Sequence, residues 1–418
     1  MKGGTAWVQN RTEIDVNNLY FGFVPQPAPT TLANIQLGWA VGVGVEQAIT
    51  PAWSLKLEYE YLGFASSNIA TSPSVFFPPL GFPPGTTTSM TEQFHVIKLG
   101  LNYKVGMDPN AQWGPAPVSY PVKALATQAW APGWQFEGGT RYWYSSGKFQ
   151  WDNAQQLSTP QILESRLTYN GLTGSTGEYF QRIDSPFNVF VKGNIGLGII
   201  NGGQLNDEDW GIFDSVSYSN TLSSTNNGKL GYGTIDVGYD ALSGYGYKVG
   251  AFVGYNYFTE RWDTFGCAQI ANQFSDCVPT VPTTTLIGTQ DSTWQSLRVG
   301  ANSEVMLVPA LKLTADLAYL PYVSMTGRDN HLLRATTTFF DQQGTGQGVQ
   351  LEAIMSYFVT DNFSVGVGGR YWAMWTTNGT FVCTGCGGVG VISLPDAGKF
   401  NTERYGTLLQ ADYRFGSL

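Results

Sequence analysis

Apolar and polar residues alternate with a period of two along most of this chain. Over residues 53–61, Leu55, Leu57, Tyr59 and Tyr61 fall on one side, and Lys56, Glu58 and Glu60 on the other. Over residues 97–105, Ile97, Leu99, Leu101, Tyr103 and Val105 oppose Lys98, Gly100, Asn102 and Lys104. Successive side chains of an extended strand point to opposite faces, so each run predicts a strand with one apolar and one polar face. No apolar run approaches the ~20 residues that a membrane-spanning helix needs. Read this way, the first part of the chain holds four strands, at about 2–9, 36–48, 52–64 and 93–105. The rest holds ten, at about 134–150, 163–182, 186–200, 229–242, 246–263, 291–307, 310–325, 346–360, 362–377 and 402–416.

A soluble sandwich hides the apolar face of such strands in a core, whereas an outer-membrane barrel turns it to lipid and keeps polar groups inside. The barrel fits better. Strand patterns run to ten or more residues, and Tyr and Trp gather near strand ends, as in interfacial girdles. Connections alternate between short ("DSP", "LSGYG", "VPA", "VTDN") and long, the rule for periplasmic turns and extracellular loops. Residues 107–132 break the pattern with Pro109, Pro115, Pro117, Pro121 and Pro132, and read as a linker because proline cannot donate to a ladder. The expected fold is all-β: a ten-stranded antiparallel up-and-down transmembrane barrel at 133–418, preceded by a four-stranded partial barrel or sheet at 1–106. The expected location is the outer membrane, crossed many times, with membrane lipid as a partner.

Composition adds constraints. The 418 residues carry a net charge of −9 with only 13% charged side chains, so no nucleic-acid partner is expected. Cys267 and Cys277 share a Pro/Thr-rich segment, and Cys383 and Cys386 form "CTGC". Both histidines, His95 and His331, are distant in sequence, so no metal site is expected. Disulfides within each cysteine pair suit an oxidising cell surface better. The opening "MKGGTAWVQN" reads as a strand with no leader, which raises the expectation of a preceding segment with a signal peptide and about four more strands.

Charge is spent unevenly. "NDEDW" (206–210) follows the third strand of the larger segment and "GRDNHLL" (327–333) the seventh. Odd strands end at one rim, here the extracellular one. Asp207 with Asp209, and Asp329 with His331, are each spaced i, i+2, so on extended backbone each pair shares a face. If that face is inward, three carboxylates and a histidine converge across the barrel mouth. Acidic loops also suit turns, water and divalent cations, so a solvated loop stands beside the functional reading.

These two motifs, with "YSSGK" (144–148), "YKVGAFVGY" (247–255) and the closing "LLQADYRFGSL", resemble the omptins over about 134–418. Omptins are ten-stranded outer-membrane proteases with an Asp-x-Asp pair facing an Asp-x-His pair. The resemblance implies Asp207, Asp209, Asp329 and His331 as catalytic groups, water as the nucleophile, no metal and no cofactor. It implies a peptide or protein substrate at the cell surface. It also implies lipopolysaccharide as a requirement for activity, with Arg261 in "TERWD" as one phosphate-binding residue or, on the bland reading, an interfacial anchor. The second such position falls near Asp291 and Ser292. Omptins that cut beside basic residues carry two acidic groups in the substrate-binding pocket. Here the corresponding positions fall near Trp151 and Gly327, neither acidic, which points to an apolar or aromatic subsite instead.

"GWAVGVGVEQAITPAWSLKLEYEYLGF" and "HVIKLGLNYKVG" resemble the closing strands of small opacity-porin-like barrels, and "MKGGTAWVQN" their fifth strand. The sequence thus supports an omptin-type surface endopeptidase. The competing reading is a non-enzymatic surface or adhesion barrel with a degenerate site. A passive pore ranks last, because ten strands leave a narrow lumen usually filled by side chains.

Overall fold

A computed structural model describes residues 2–14, 30–48, 53–65, 67–70, 87–90, 93–103, 133–154, 163–210, 218–244, 246–271, 277–334, 336–386 and 388–416. The chain divides into two compact units, Met1–Tyr120 and Pro121–Leu418. The proposed linker, 107–132, lies outside the described residues.

In the first unit, β1 (Lys2–Ile14), β2 (Thr30–Ala48), β3 (Trp53–Phe64) and β6 (Gln93–Tyr103) form an antiparallel sheet in the order β1-β2-β3-β6. Leu37, Trp39, Val41 and Val43 are exposed along one face. The other carries Lys56–Glu58 and Lys98–Glu60 ion pairs, at 2.8 and 2.6 Å. The short β4 (Ser67–Ala70) and β5 (Thr87–Met90), which alternation did not suggest, pair with each other.

The second unit is a closed barrel of ten antiparallel strands, each paired with its neighbours in sequence and the last with the first. They are β7 (Gln135–Ala154), β8 (Leu163–Asp184), β9 (Val189–Asp209), β10 (Ser219–Gly244), β11 (Tyr247–Ala271), β12 (Val281–Val308), β13 (Leu311–His331), β14 (Thr338–Phe358), β15 (Phe363–Thr384) and β16 (Asp396–Gly416). Every strand but β8 reaches further toward the long-loop end than the alternation of apolar residues indicated. The "NDEDW" and "GRDNH" motifs therefore lie largely within β9 and β13, not beyond them. The reason is physical. Lipid demands outward apolar residues only across its own thickness, whereas backbone pairing carries the ladder on into water.

Outward residues mark that thickness. Ile195, Leu197 and Ile199 on β9, Val253, Tyr255 and Tyr257 on β11, and Leu317, Tyr319 and Tyr322 on β13 are exposed and apolar or aromatic. Beyond them the outer wall of β11 and β13 becomes polar, with Arg261, Thr326 and Arg328 exposed.

The lumen is filled. Toward the short-turn end it holds charged pairs: Arg370–Glu178 at 2.6 Å, Arg141–Glu178 at 2.9 Å, Arg298–Asp236 at 2.9 Å and Lys312–Glu137 at 2.9 Å. Above these lie Trp143, Tyr232, Phe258 and Trp372, with Trp143–Trp372 and Tyr232–Trp372 centroids 5.3 and 5.0 Å apart. Higher still, Arg404 binds Glu260 (Nε–Oε1 2.8 Å), Ser145 Oγ (3.0 Å) and the Leu172 carbonyl (3.0 Å). Both partners of that pair are almost completely buried. Arg404→Met would strand the Glu260 charge, so we expect a loss of about 3–5 kcal/mol, measured by urea unfolding in detergent. Adding Glu260→Leu to Arg404→Met should restore most of it, because the desolvated charge is then gone.

Candidate active site

Which face a motif presents depends on parity, and parity changes inside these strands. In the lipid-facing part of β9 the outward residues are odd-numbered, Ile195, Leu197 and Ile199. Continued unbroken, the alternation would put Asp207 and Asp209 outside the barrel. It does not continue. The ladder between β9 and β10 is interrupted between Gln204 and Ile200, and the one between β8 and β9 shifts beside Gly202. Above the shift Leu205 is buried and belongs to the lumen cluster. An extra residue in a strand moves every later side chain to the opposite face. Gly203, at φ 154°, supplies the backbone freedom, and a Cβ there would lie 2.4 Å from Thr225 Oγ1. Neighbouring β8 shifts at the same level around Gly171 (φ 62°), as does β10 around Asn227 (φ 52°).

β13 has the same device. Its inward residues are even-numbered up to Leu320 and odd-numbered from Val323, both fully buried. The shift falls at Pro321–Tyr322, where Leu320 pairs with Gly348 but Val323 with Gly346. Proline has no N–H to lose from the ladder and tolerates a bulge well. Asp329 and His331 thereby turn inward.

Both motifs thus stand high in the barrel, with Asp207 half-buried and Asp209, the last residue of β9, exposed. Asp329 is 4% exposed, and its Oδ2 lies 2.8 Å from His331 Nε2. A carboxylate only accepts, so the imidazole donates through Nε2–H and keeps Nδ1 as its basic nitrogen. The His331 ring also packs on Phe340, centroids 5.0 Å apart. Tyr169, buried above the bulge in β8, is held well above the usual tyrosine range, first by burial and then by the charges of Asp329 and Asp207. One phenol thus feels one carboxylate of each motif. Glu208, of opposite parity, accepts a hydrogen bond from Tyr218 (2.8 Å) and stands opposite Arg166, which is bonded to Asp152 at 2.8 Å. Asp329 lies seven residues above Tyr322, roughly 20 Å along the strand from the lipid-facing band.

The other residues singled out by sequence are placed as follows. Trp151 is 2% exposed, so it faces the lumen and not the girdle, and it packs on Phe340 (5.4 Å) and Phe381 (5.3 Å). Gly327 lies beside a buried amide pair, Gln290 Nε2 donating to Gln342 Oε1 at 2.9 Å. Arg261 is exposed on the outer wall, in one cross-strand row with Lys229, Asp291, Arg328 and Asp341. Cys267 bonds to Cys277 and Cys383 to Cys386. His95 takes its place in β6, in the other unit. Among the described residues no three His, Cys, Asp or Glu side chains gather as a metal-sized cluster. Sequence reading missed Tyr169, Phe340, Phe381 and Phe400. The last three lie in the strand extensions that alternation left as loops.

A family model described as the Omptin family matches residues 182–382, a span that contains both acid pairs. The barrel is omptin-like. Its solved counterparts include the outer membrane protease OmpT from Escherichia coli, at 14% identity and a TM-score of 0.58, over 67% of this chain and 97% of that one. At that identity the likeness is one of fold. The toluene transporters TodX of P. putida and TbuX of Ralstonia pickettii also align, each at 7% identity, over 71% and 99% of this chain and 94% and 90% of theirs. Their TM-scores of 0.20 and 0.23 carry no argument. No curated protein sequence matches the chain. An omptin-like barrel of ten strands with a lipid-facing band implies an outer-membrane protein.

Proposed function

We propose that the omptin-like barrel is a surface endopeptidase in which Asp329 and His331 activate water facing Asp207 and Asp209. The observation that carries this reading is the inward turn of both motifs through separate bulges, with His331 hydrogen-bonded to Asp329. His331 Nδ1 takes a proton from water. Asp329 orients the ring and stabilises its cationic form. Asp207 and Asp209, like charges two residues apart, favour a shared proton, and that pair polarises the scissile carbonyl. Water adds to the carbonyl carbon, and the proton held by His331 passes to the leaving amine.

Lipopolysaccharide is the proposed outer partner. Arg261 and its row neighbours Lys229 and Arg328 stand just above the lipid-facing band, where headgroup phosphates would lie. The test is a mixed peptide library offered to the whole chain in lipopolysaccharide-containing detergent. Cleavage is expected, and Asp207→Ala should lower it about 10²-fold or more while Glu208→Ala leaves it within a factor of about three. Absence of cleavage, or equal loss in both variants, would favour a non-enzymatic surface barrel.

A further inference from the structure

Cross-strand rows show that the two sides of the lumen between the acid pairs differ in chemistry. On one side Asp207 pairs with Leu167, Leu167 with Trp151, and Trp151 with Phe400. From the other pair, Asp329 pairs with Phe340, whose ring lies 6.0 Å from Phe381. Trp151 joins the two rows by contacts to Phe340, Phe381 and Phe400, at 5.4, 5.3 and 6.3 Å. An aromatic wall therefore runs from beside His331 across β14, β15, β16 and β7 to Trp151, and Leu167 on β8 extends it as an apolar surface to Asp207. The opposite side, over β10 to β12, presents Thr221, Thr264 and Gln290, all buried and uncharged, with a single aromatic, Trp262, as the cross-strand partner of Gln290.

The wall continues upward as an apolar lip. Leu332 and Leu333 follow His331 and are half exposed, while Val389, Ile392 and Leu394 in the β15–β16 connection are 88, 66 and 83% exposed. The two segments touch: Thr336 Oγ1 donates to the Gly385 carbonyl at 3.1 Å, and Arg334 reaches Cys386 Sγ at 3.8 Å. The Cys383–Cys386 disulfide fixes the base of the lip. These side chains lie far above the lipid-facing band, so lipid does not account for their exposure, and exposed apolar side chains on two touching segments at such a place suit a binding site. The Trp151 indole N–H is buried without an acceptor among the described residues, a donor suited to a peptide carbonyl.

Resting on the reading of this site as a peptidase, we propose that it selects peptides with an aromatic or large aliphatic residue at the cleaved bond, that side chain lying on the Trp151–Phe340 wall and its apolar neighbours on the Leu333–Leu394 lip. The two walls then divide the work. The aromatic side takes the side chain, and the Thr/Gln side offers hydrogen bonds to the peptide backbone.

Binding and cleavage are measured separately. Fluorescent peptides differing only in a central Phe, Arg or Asp are titrated by anisotropy against the whole chain carrying His331→Ala, and their cleavage is followed with the unsubstituted chain. The Phe peptide should bind at least about tenfold more tightly than the others, the discrimination typical of an apolar pocket. Trp151→Ala should remove that advantage. Leu333→Ser with Leu394→Ser, on exposed positions that do not endanger folding, should weaken the Phe peptide and leave the Arg peptide unchanged. Equal binding of all three peptides, tighter binding of the Arg peptide, or no binding overturns the proposal. Phe-selective binding with no cleavage by the unsubstituted chain would leave this proposal standing and remove the peptidase reading.

Discussion

Replacing His331 by alanine should lower peptide turnover by ~10²–10⁴-fold, the range typical of a lost general base. His331 is one of only two histidines in the chain and the one placed in the barrel. Among the described residues its hydrogen bond is to Asp329 Oδ2, so its loss leaves a buried carboxylate with nothing to orient. The fall should appear in kcat more than in KM, because a proton transfer is made only in the transition state. Folding should be retained, since the side chain is partly exposed and roughly 20 Å above the lipid-facing band. Heat-modifiable migration in electrophoresis checks that. Turnover within a factor of about three of the unsubstituted chain would refute a role for His331 in catalysis.

A second large effect is expected from a change that removes no candidate catalytic group. Deleting Gly203 takes the extra residue out of β9 and restores unbroken alternation. Asp207 and Asp209 would then follow Ile195, Leu197 and Ile199 onto the outer wall, and Asn206 and Glu208 would turn inward. Activity should fall as far as in His331→Ala, although every proposed catalytic side chain is still encoded. Some stability should go too, because Leu205 leaves the lumen cluster in the same move. Retained activity would mean that the inward turn of this pair is not what the chemistry requires.

Much of this architecture was readable from period-two alternation, because lipid imposes it strictly. All ten barrel strands and the short turns follow from that rule. The limits of the strands did not, since beyond the lipid-facing band nothing forces an outward residue to be apolar. Thus β14 was expected from residue 346 but begins at Thr338, which hid Phe340 beside His331. The pairing of "NDEDW" with "DNH" was visible from strand count alone. Its inward direction was not, because i, i+2 spacing fixes that two side chains agree but not which way they point. The signals were there in Gly202–Gly203 and in Pro321, residues that seldom interrupt a regular strand without a bulge. For Trp151, an aromatic near a strand end suits a lumen lining and an interfacial girdle alike, and only its burial decides.

The packed floor of the lumen has its own consequence. Below the acid pairs, Arg404–Glu260, the Trp143–Tyr232–Trp372 layer and the Arg370–Glu178 network stand one above another. A molecule entering from outside therefore meets a vessel with a single mouth. On the proposed function, whatever is made there leaves by the way its precursor came, through the long-loop rim. A bacterium that consumed those fragments would need a separate uptake system.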